Sequence, residues 1–106
     1  MRLILYPAIR RKLAEKHGVT MAEVQEAFRN RRGKLAKELR PLNRGEYPRY
    51  WFIAETSSGR RLKVVFVRDP DEPWPVVITA YEPNEAEEGL YVALQEDEGR
   101  GPAQGG

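Results

Sequence analysis

Apolar residues in the first part of the chain recur at helical spacing. In residues 8–17, Ile9 and Leu13 lie one helical turn apart, which predicts a first helix. Gly18 follows at the position where many helices end in a left-handed residue. The short apolar segment 2–6 precedes this helix and predicts a first strand or an extended entry segment.

A second helix is predicted over residues 20–30. Thr20 and Glu23 have the spacing of a capping box, in which each side chain bonds the other residue's backbone N–H. The apolar residues of this segment fall on one helical stripe, which we expect to face the core. They are Met21, Val24, Ala27 and Phe28.

Alternating apolar positions then predict strands over residues 49–55 and 61–67, and the apolar run over 76–81 predicts a third strand. The sequence Ser57-Ser58-Gly59 is typical of a turn, so the first two strands should form a hairpin. In the middle strand, alternation puts Leu62, Val64 and Phe66 on one face and Arg61 and Lys63 on the other.

These elements predict an α+β fold in which two N-terminal helices pack on one face of an antiparallel sheet, a two-layer sandwich. Residues 1–94 are expected to form a single domain. Within it, 34–39 is expected to make a short turn, and 84–94 fits a small helix or an added strand equally well. Residues 95–106 are acidic and then rich in Gly and Pro, which predicts a disordered tail.

Composition narrows the chemistry. The chain is 41% hydrophobic and 32% charged, as in globular proteins, and no apolar run reaches the roughly 20 residues of a membrane helix. We therefore expect a cytoplasmic protein without a membrane partner.

The chain has no cysteine, and its one histidine is His17, so Cys-based metal sites and sites with two His ligands are excluded. No phosphate-binding glycine loop is present, and no cofactor or metal is expected.

Charge is distributed unevenly along the chain. Residues 1–68 contain 17 basic and 6 acidic residues, whereas residues 69–106 contain 1 basic and 10 acidic residues. This division indicates a polyanion-binding body, or else the Arg- and Glu-rich surface of a thermophile protein. The candidate residues for binding a nucleic acid or an acidic partner are Arg29, Arg31, Arg32, Lys34, Arg40, Arg44, Arg49, Arg60 and Arg68.

Two motifs resemble a known family. The segment Lys16-His17-Gly18-Val19-Thr20, and the later Gly59-Arg60-Arg61-Leu62 turn and strand, resemble BrnT-type toxins and their uncharacterised relatives in the RelE/ParE-like superfamily. Val77-Ile78-Thr79-Ala80-Tyr81 corresponds to the last strand of that family, which commonly ends in Arg. The resemblance implies a RelE-like fold and ribonuclease activity without a metal, on free RNA or at the ribosome. It also implies a small antitoxin protein as partner.

Metal-free RNA cleavage needs a base, an acid and cations that stabilise the charged phosphate. The candidate catalytic residues are Arg61, Lys63, Tyr81 and His17. Each also has a structural interpretation. His17 fits the closing turn of the first helix, Arg61 and Lys63 fit a solvated strand face, and Tyr81 fits a cross-strand packing pair. The acidic run Glu82–Glu88 is interpreted as a solvated turn.

Two functions therefore compete at this stage. One is a toxin-family, metal-independent ribonuclease or a homologue derived from one. The other is a non-catalytic module that binds nucleic acid or protein through the same basic residues. A housekeeping domain of a thermophile without a role on nucleic acid is a third interpretation.

Overall fold

A computed structural model describes the backbone of residues 2–105 and the side chains of residues 2–96. Helix α1 (Pro7–Lys12) continues into a π-helical turn (Leu13–His17), and helix α2 (Met21–Asn30) follows. The strands are β1 (Ala36–Lys37), β2 (Arg49–Glu55), β3 (Arg61–Val67) and β4 (Val76–Tyr81), and helix α3 spans Glu85–Gly105. The expected α+β class is confirmed.

The first helix ends and α2 begins at the residues that the sequence predicted, because local backbone geometry and hydrogen bonds define both positions. Gly18 adopts φ 61° and ψ 34°, the left-handed conformation that ends the first helix. The Thr20 hydroxyl accepts from the Glu23 N–H at 3.1 Å, and the Thr20 N–H donates to Glu23 Oε1 at 3.0 Å. This reciprocal pair starts α2 and orients its apolar stripe towards the sheet.

The four strands form an antiparallel sheet in the order β1-β2-β3-β4. β2 pairs with β3 along its whole length, with Phe52 opposite Val64, and the predicted hairpin is confirmed. β3 pairs with β4 with Lys63 opposite Tyr81, and an irregularity lies at Val65/Phe66. Since cross-strand partners share a face, this register determines which side chains can meet.

Of two short segments, one differs from expectation and the other, the extended entry segment 2–6, is confirmed. The turn expected over 34–39 is instead the two-residue strand β1, which pairs Ala36 with Trp51. Residues 2–6 are an extended segment with a single parallel bridge between Ile4 and Val76, held by Val77 N–H donating to the Ile4 carbonyl at 2.9 Å. Both are edge pairings that depend on distant residues, which local patterning does not encode.

The core lies between α2 and one face of the sheet. The Phe28 ring of α2 lies 4.9 Å from the Phe52 ring and 5.4 Å from the Phe66 ring, centroid to centroid. Leu62 and Val64 complete this face and are fully buried. The alternation of β3 therefore works as predicted, with its apolar positions beneath the helices.

On the opposite face of the sheet, Arg61 and Lys63 were interpreted as fitting a solvated strand face, but α3 covers part of it. Tyr91 of α3 is buried against Trp51 at 5.6 Å between ring centroids. A capping box begins the helix, since Glu87 N–H donates to Asn84 Oδ1 at 2.8 Å and Asn84 N–H donates to Glu87 Oε1 at 3.0 Å. The undecided segment 84–94 is thus helical and lies on the basic face of β3.

The predicted disordered tail begins inside this helix. Gln95 is part of α3, and its side-chain amide bonds both backbone groups of Lys34, at 3.0 Å to the N–H and 2.8 Å to the carbonyl. These bonds join Gln95 to a residue that is distant in the sequence. They hold the first residue of the expected tail in a defined position. The side chains of residues 97–106 lie outside the described residues.

We expect Thr20→Ala to lower the free energy of unfolding by about 1 kcal/mol, because the substitution leaves the Glu23 N–H without its cap. Thr20→Ser keeps the hydroxyl and should stay close to wild type. Urea unfolding followed by circular dichroism measures both variants. Equal stability of the alanine and serine variants would contradict a contribution of the cap.

Candidate functional site

Three of the four predicted catalytic side chains meet under the first turn of α3. Lys63 Nζ donates to Glu87 Oε2 at 2.9 Å, and Tyr81 Oη donates to the same oxygen at 2.6 Å. Arg61 binds Glu88 through two nitrogens, Nε at 2.6 Å and Nη2 at 2.8 Å. Because cross-strand register and strand alternation put these cations and the phenol on one face, α3 can satisfy them all from consecutive glutamates.

Lys63 is the most enclosed cation of this group. Its ammonium lies 4.4 Å from the centre of the Trp51 ring and 5.8 Å from that of Tyr81. The side chain is only 15% exposed. Burial lowers the pKa of Lys63, but the hydrogen bond and charge of Glu87 outweigh it, so the pKa is raised overall. Lys63 therefore remains a cation and is not a free base.

Tyr81 and Glu87 titrate away from neutrality. Burial and the hydrogen bond that it donates to Glu87 raise the pKa of Tyr81. Burial alone would raise the pKa of Glu87. The hydrogen bonds from Tyr81, Lys63 and the Asn84 N–H reverse that effect and lower the pKa to about 2. Near pH 7 the cluster is a carboxylate held by an ammonium and a phenol.

His17, the fourth predicted catalytic residue, lies at the margin of this cluster. Its ring centroid is 5.6 Å from that of Tyr81, and it closes the π-helical turn before Gly18. Its carbonyl accepts a bond from Arg60 at 3.0 Å. The histidine thus contacts one member of the cluster and also has the helix-closing position that was its structural interpretation.

Arg60 was predicted to bind nucleic acid, and its hydrogen bonds join three parts of the fold. It donates to the carbonyls of His17 and Gly18, to Glu23 at the start of α2, and to Glu82 after β4 at 2.7 Å. These bonds occupy the guanidinium fork and satisfy carbonyls at a helix end. We assign Arg60 a structural role.

The acidic run after β4 was interpreted as a solvated turn, and that interpretation is wrong. Glu82, Glu87 and Glu88 bind Arg60, Lys63 and Arg61, respectively. The sequence offered one signal for this arrangement, the Asn84–Glu87 capping-box spacing, which would have placed a helix start there. The partners on β3 are 24 and 27 residues away and required the fold.

The arginines at and just after the C-terminal end of α2 line an open groove of about 940 Å³. Its lining includes Arg29, Arg31, Arg32 and Arg61, together with Ile53 and Ala54 of β2. The helix ends at Asn30, whose side-chain amide donates to the Glu55 carbonyl at 2.9 Å, and Arg31 turns to an extended conformation. This break in the helix directs successive arginines around the groove.

The described side chains leave three arginines of the groove without a carboxylate partner. Among the residues whose side chains the structure describes, no carboxylate forms an ion pair with Arg29, Arg31 or Arg32. Arg31 donates to the Gly33 carbonyl at 2.9 Å, and its guanidinium carbon lies 6.0 Å from the centre of the Phe52 ring. Glu55 is the single carboxylate among the described lining residues, and it pairs with Arg61 at 3.6 Å.

The rest of the predicted basic segment lies apart from the groove. Arg40 binds Glu46 at 3.0 Å, and Arg49 lies 3.9 Å from Glu38, so this loop is largely neutral. The pKa of Glu46 is lowered to about 2 by the hydrogen bond from Arg40. Of the other predicted binding residues, Arg44 and Arg68 are exposed and Lys34 is half-buried. None of these three residues lines the groove.

Neither protein-family models nor curated proteins match the chain. The resemblance to BrnT-type toxins therefore stays a prediction from the residues that carry it. Within the described part of the chain, no three His, Asp or Glu residues are grouped as a metal site would require. No helix there is both long and apolar enough to span a bilayer.

We expect acid to remove the stability that Glu87 contributes. Its folded-state pKa of about 2 lies below the ordinary value of 4.5, so the contribution is complete above about pH 5 and is lost as pH falls towards 2. Glu87→Gln keeps an oxygen for the Asn84 cap but loses the ion pair. It should lower the free energy of unfolding at pH 7 by about 1–2 kcal/mol.

Urea unfolding of wild type and Glu87→Gln at a series of pH values measures this effect. The gap between the two proteins should close between pH 5 and pH 2, since protonated Glu87 and Gln have the same charge. Glu85→Gln, in the same helical turn and exposed, is the control and should follow wild type. A gap that stays constant with pH would contradict the assigned ion pair.

Proposed function

We propose that the chain is an RNA-binding module that holds the phosphate backbone of single-stranded RNA in the arginine groove. The observation that carries this proposal is that Arg29, Arg31 and Arg32 line one groove without a carboxylate partner among the described side chains. The predicted catalytic cations, by contrast, are each bound to a glutamate. Of the two basic sites, the groove is the one ready to accept an external anion.

The chemistry of the groove suits a phosphate chain. Guanidinium groups bind phosphate through paired N–H donors, and several along a groove neutralise successive phosphates. Asn30 and Ser57 add polar groups to the lining, whereas Ile53 and Ala54 contribute an apolar floor. Such a site reads the backbone rather than the base sequence, so binding should depend strongly on salt.

The choice of RNA rests on the resemblance to the toxin family. In that setting the protein acts in the cytoplasm, and a small antitoxin with an acidic segment would compete with RNA for the same arginines. The protein itself binds without cutting, because Lys63 and Tyr81 both contact Glu87 and present no free base or acid.

Replacing Arg29, Arg31 and Arg32 together with alanine should weaken RNA binding and reduce its salt dependence. Three lost phosphate contacts lower the slope of log K against log salt by about 2 for a single strand. Fluorescence anisotropy of a labelled unstructured RNA oligonucleotide, titrated at several salt concentrations, measures the slope.

The matched control is Arg10→Ala, Arg11→Ala and Lys12→Ala in α1. It removes three exposed positive charges far from the groove in sequence and outside its lining. If both triple variants change the slope equally, binding follows net charge and not the groove, and the proposal fails. Thermal melting of each variant confirms that the fold is retained.

A metal-independent ribonuclease is the second candidate, favoured by one observation. Lys63, Tyr81 and His17 are neighbours in space, with Tyr81 in contact with the other two. They are three of the four residues that the sequence predicted for catalysis, the other being Arg61, and Glu87 accepts hydrogen bonds from Lys63 and Tyr81.

We expect RNA incubated with the wild-type protein and a chelator to remain intact, because Glu87 accepts from both Lys63 and Tyr81. Denaturing gel electrophoresis of the RNA, with and without ribosomes, tests this. Cleavage that persists in the chelator and disappears in both Lys63→Ala and Tyr81→Phe would favour the ribonuclease instead. Arg10→Ala is the control for loss of one charge.

A further inference from the structure

We infer that Arg61, Lys63 and Tyr81 form a second phosphate-binding site, which the carboxylates of Glu87 and Glu88 occupy until phosphodiester groups of RNA replace them. We call these three residues the masked cluster. The inference rests on the proposed RNA binding and adds its regulation, a competing anion within the chain itself.

The first support is the way in which the two carboxylates are bound. Glu88 receives two nearly parallel bonds from Arg61, at 2.6 Å and 2.8 Å. Glu87 Oε2 receives one bond from an ammonium and one from a phenol. Arg binds a phosphate with the same two-pronged geometry that it uses for a carboxylate, and Lys and Tyr donors suit either anion. Two adjacent glutamates thus occupy positions that two phosphate groups can take.

The second support is continuity with the arginine groove. Arg61 belongs to both sites, since it lines the groove and binds Glu88. An RNA strand held by Arg29, Arg31 and Arg32 therefore reaches the masked cluster through a shared guanidinium. Glu88 binds the arginine at which the groove and the masked cluster meet. When a phosphate replaces Glu88, the bound RNA strand gains its contact with Arg61.

The third support is the difference in exposure of the two ion pairs. The Arg61 and Glu88 side chains are 45% and 31% exposed, and ion pairs this accessible to water contribute little to stability. Lys63 and Glu87 are 15% and 20% exposed and are held by the cap as well. Glu88 is therefore displaced first and Glu87 second.

Displacement does not require α3 to leave the sheet. Tyr91 stays packed on Trp51, and the Gln95 amide stays bonded to Lys34, so the body of the helix remains anchored. Rotation of the two glutamate side chains is sufficient. The simpler interpretation is that these glutamates only fasten α3 to the sheet. That interpretation predicts a loss of stability on their removal without any gain in affinity.

The test compares Glu87→Gln/Glu88→Gln with Glu85→Gln/Glu96→Gln, which removes the same charge from the same helix. Glu85 and Glu96 are exposed, and no ion pair to a described side chain involves them. The probe is the single-stranded RNA oligonucleotide of the groove experiment. The first variant should bind about tenfold or more tightly than the second, and two added phosphate contacts should steepen the salt slope by about 1.4.

Adding Arg61→Ala/Lys63→Ala to the Glu87→Gln/Glu88→Gln protein should abolish this gain. Equal affinities of the two glutamine variants would overturn the inference, and so would a gain that survives without Arg61 and Lys63. If the double variant does not fold, Glu88→Gln alone is compared with Glu85→Gln alone. It keeps the Asn84–Glu87 cap, and one added contact should steepen the slope by about 0.7.

The outcome is separable from that of the proposed function. Loss of binding in the Arg29/Arg31/Arg32 variant supports the groove whether or not the glutamine variants differ. A gain in Glu87→Gln/Glu88→Gln, with no effect of the three arginines, would support the masked cluster and reject the groove.

Discussion

The two-residue alternation of β3 is the constraint on which the rest of the structure depends. Its even positions, Leu62, Val64 and Phe66, are buried beneath α2, so the hydrophobic core fixes their direction. Arg61 and Lys63 must then point to the opposite face, since successive side chains of a strand alternate. A shift of one residue would bury two cations in the core, and the free energy of that burial keeps the register unique.

That constraint creates a second requirement, because the opposite face is not exposed to solvent along its whole length. Trp51 and Ile53 are buried there, and Lys63 lies over the Trp51 ring. A desolvated ammonium needs an anion, which α3 provides through Glu87. The uneven distribution of charge along the chain was interpreted as a sign of polyanion binding or of a thermophile surface. The structure shows a third role for it, within the fold. The acidic segment after β4 neutralises cations of β3 within the same molecule.

The same comparison separates the two basic sites. Cations on β3 are bonded to α3, whereas Arg29, Arg31 and Arg32 lie at and just after the C-terminal end of α2, where no described carboxylate pairs with them. Basic residues that look equivalent in a sequence therefore differ in what they can bind. Under the proposed function, the groove binds an external anion, and the β3 cluster binds one only in exchange for a glutamate. Arg60, bonded to two carbonyls and two carboxylates, offers none.

The sequence by itself determined the elements whose signals lie within a few residues of one another. The capping box at Thr20, the left-handed Gly18, the hairpin and the alternation of β3 all depend on such short spacings, and each is present. Only the tertiary structure decided how charges pair. Glu87 and Glu88 bind Lys63 and Arg61 across 24 and 27 residues. The same holds for a neutral contact, since the Gln95 amide bonds the Lys34 backbone across 61 residues. In a sequence, a glutamate that binds a distant cation looks the same as one that does not. Ion pairs carry no periodicity, and the folded chain alone selects their partners.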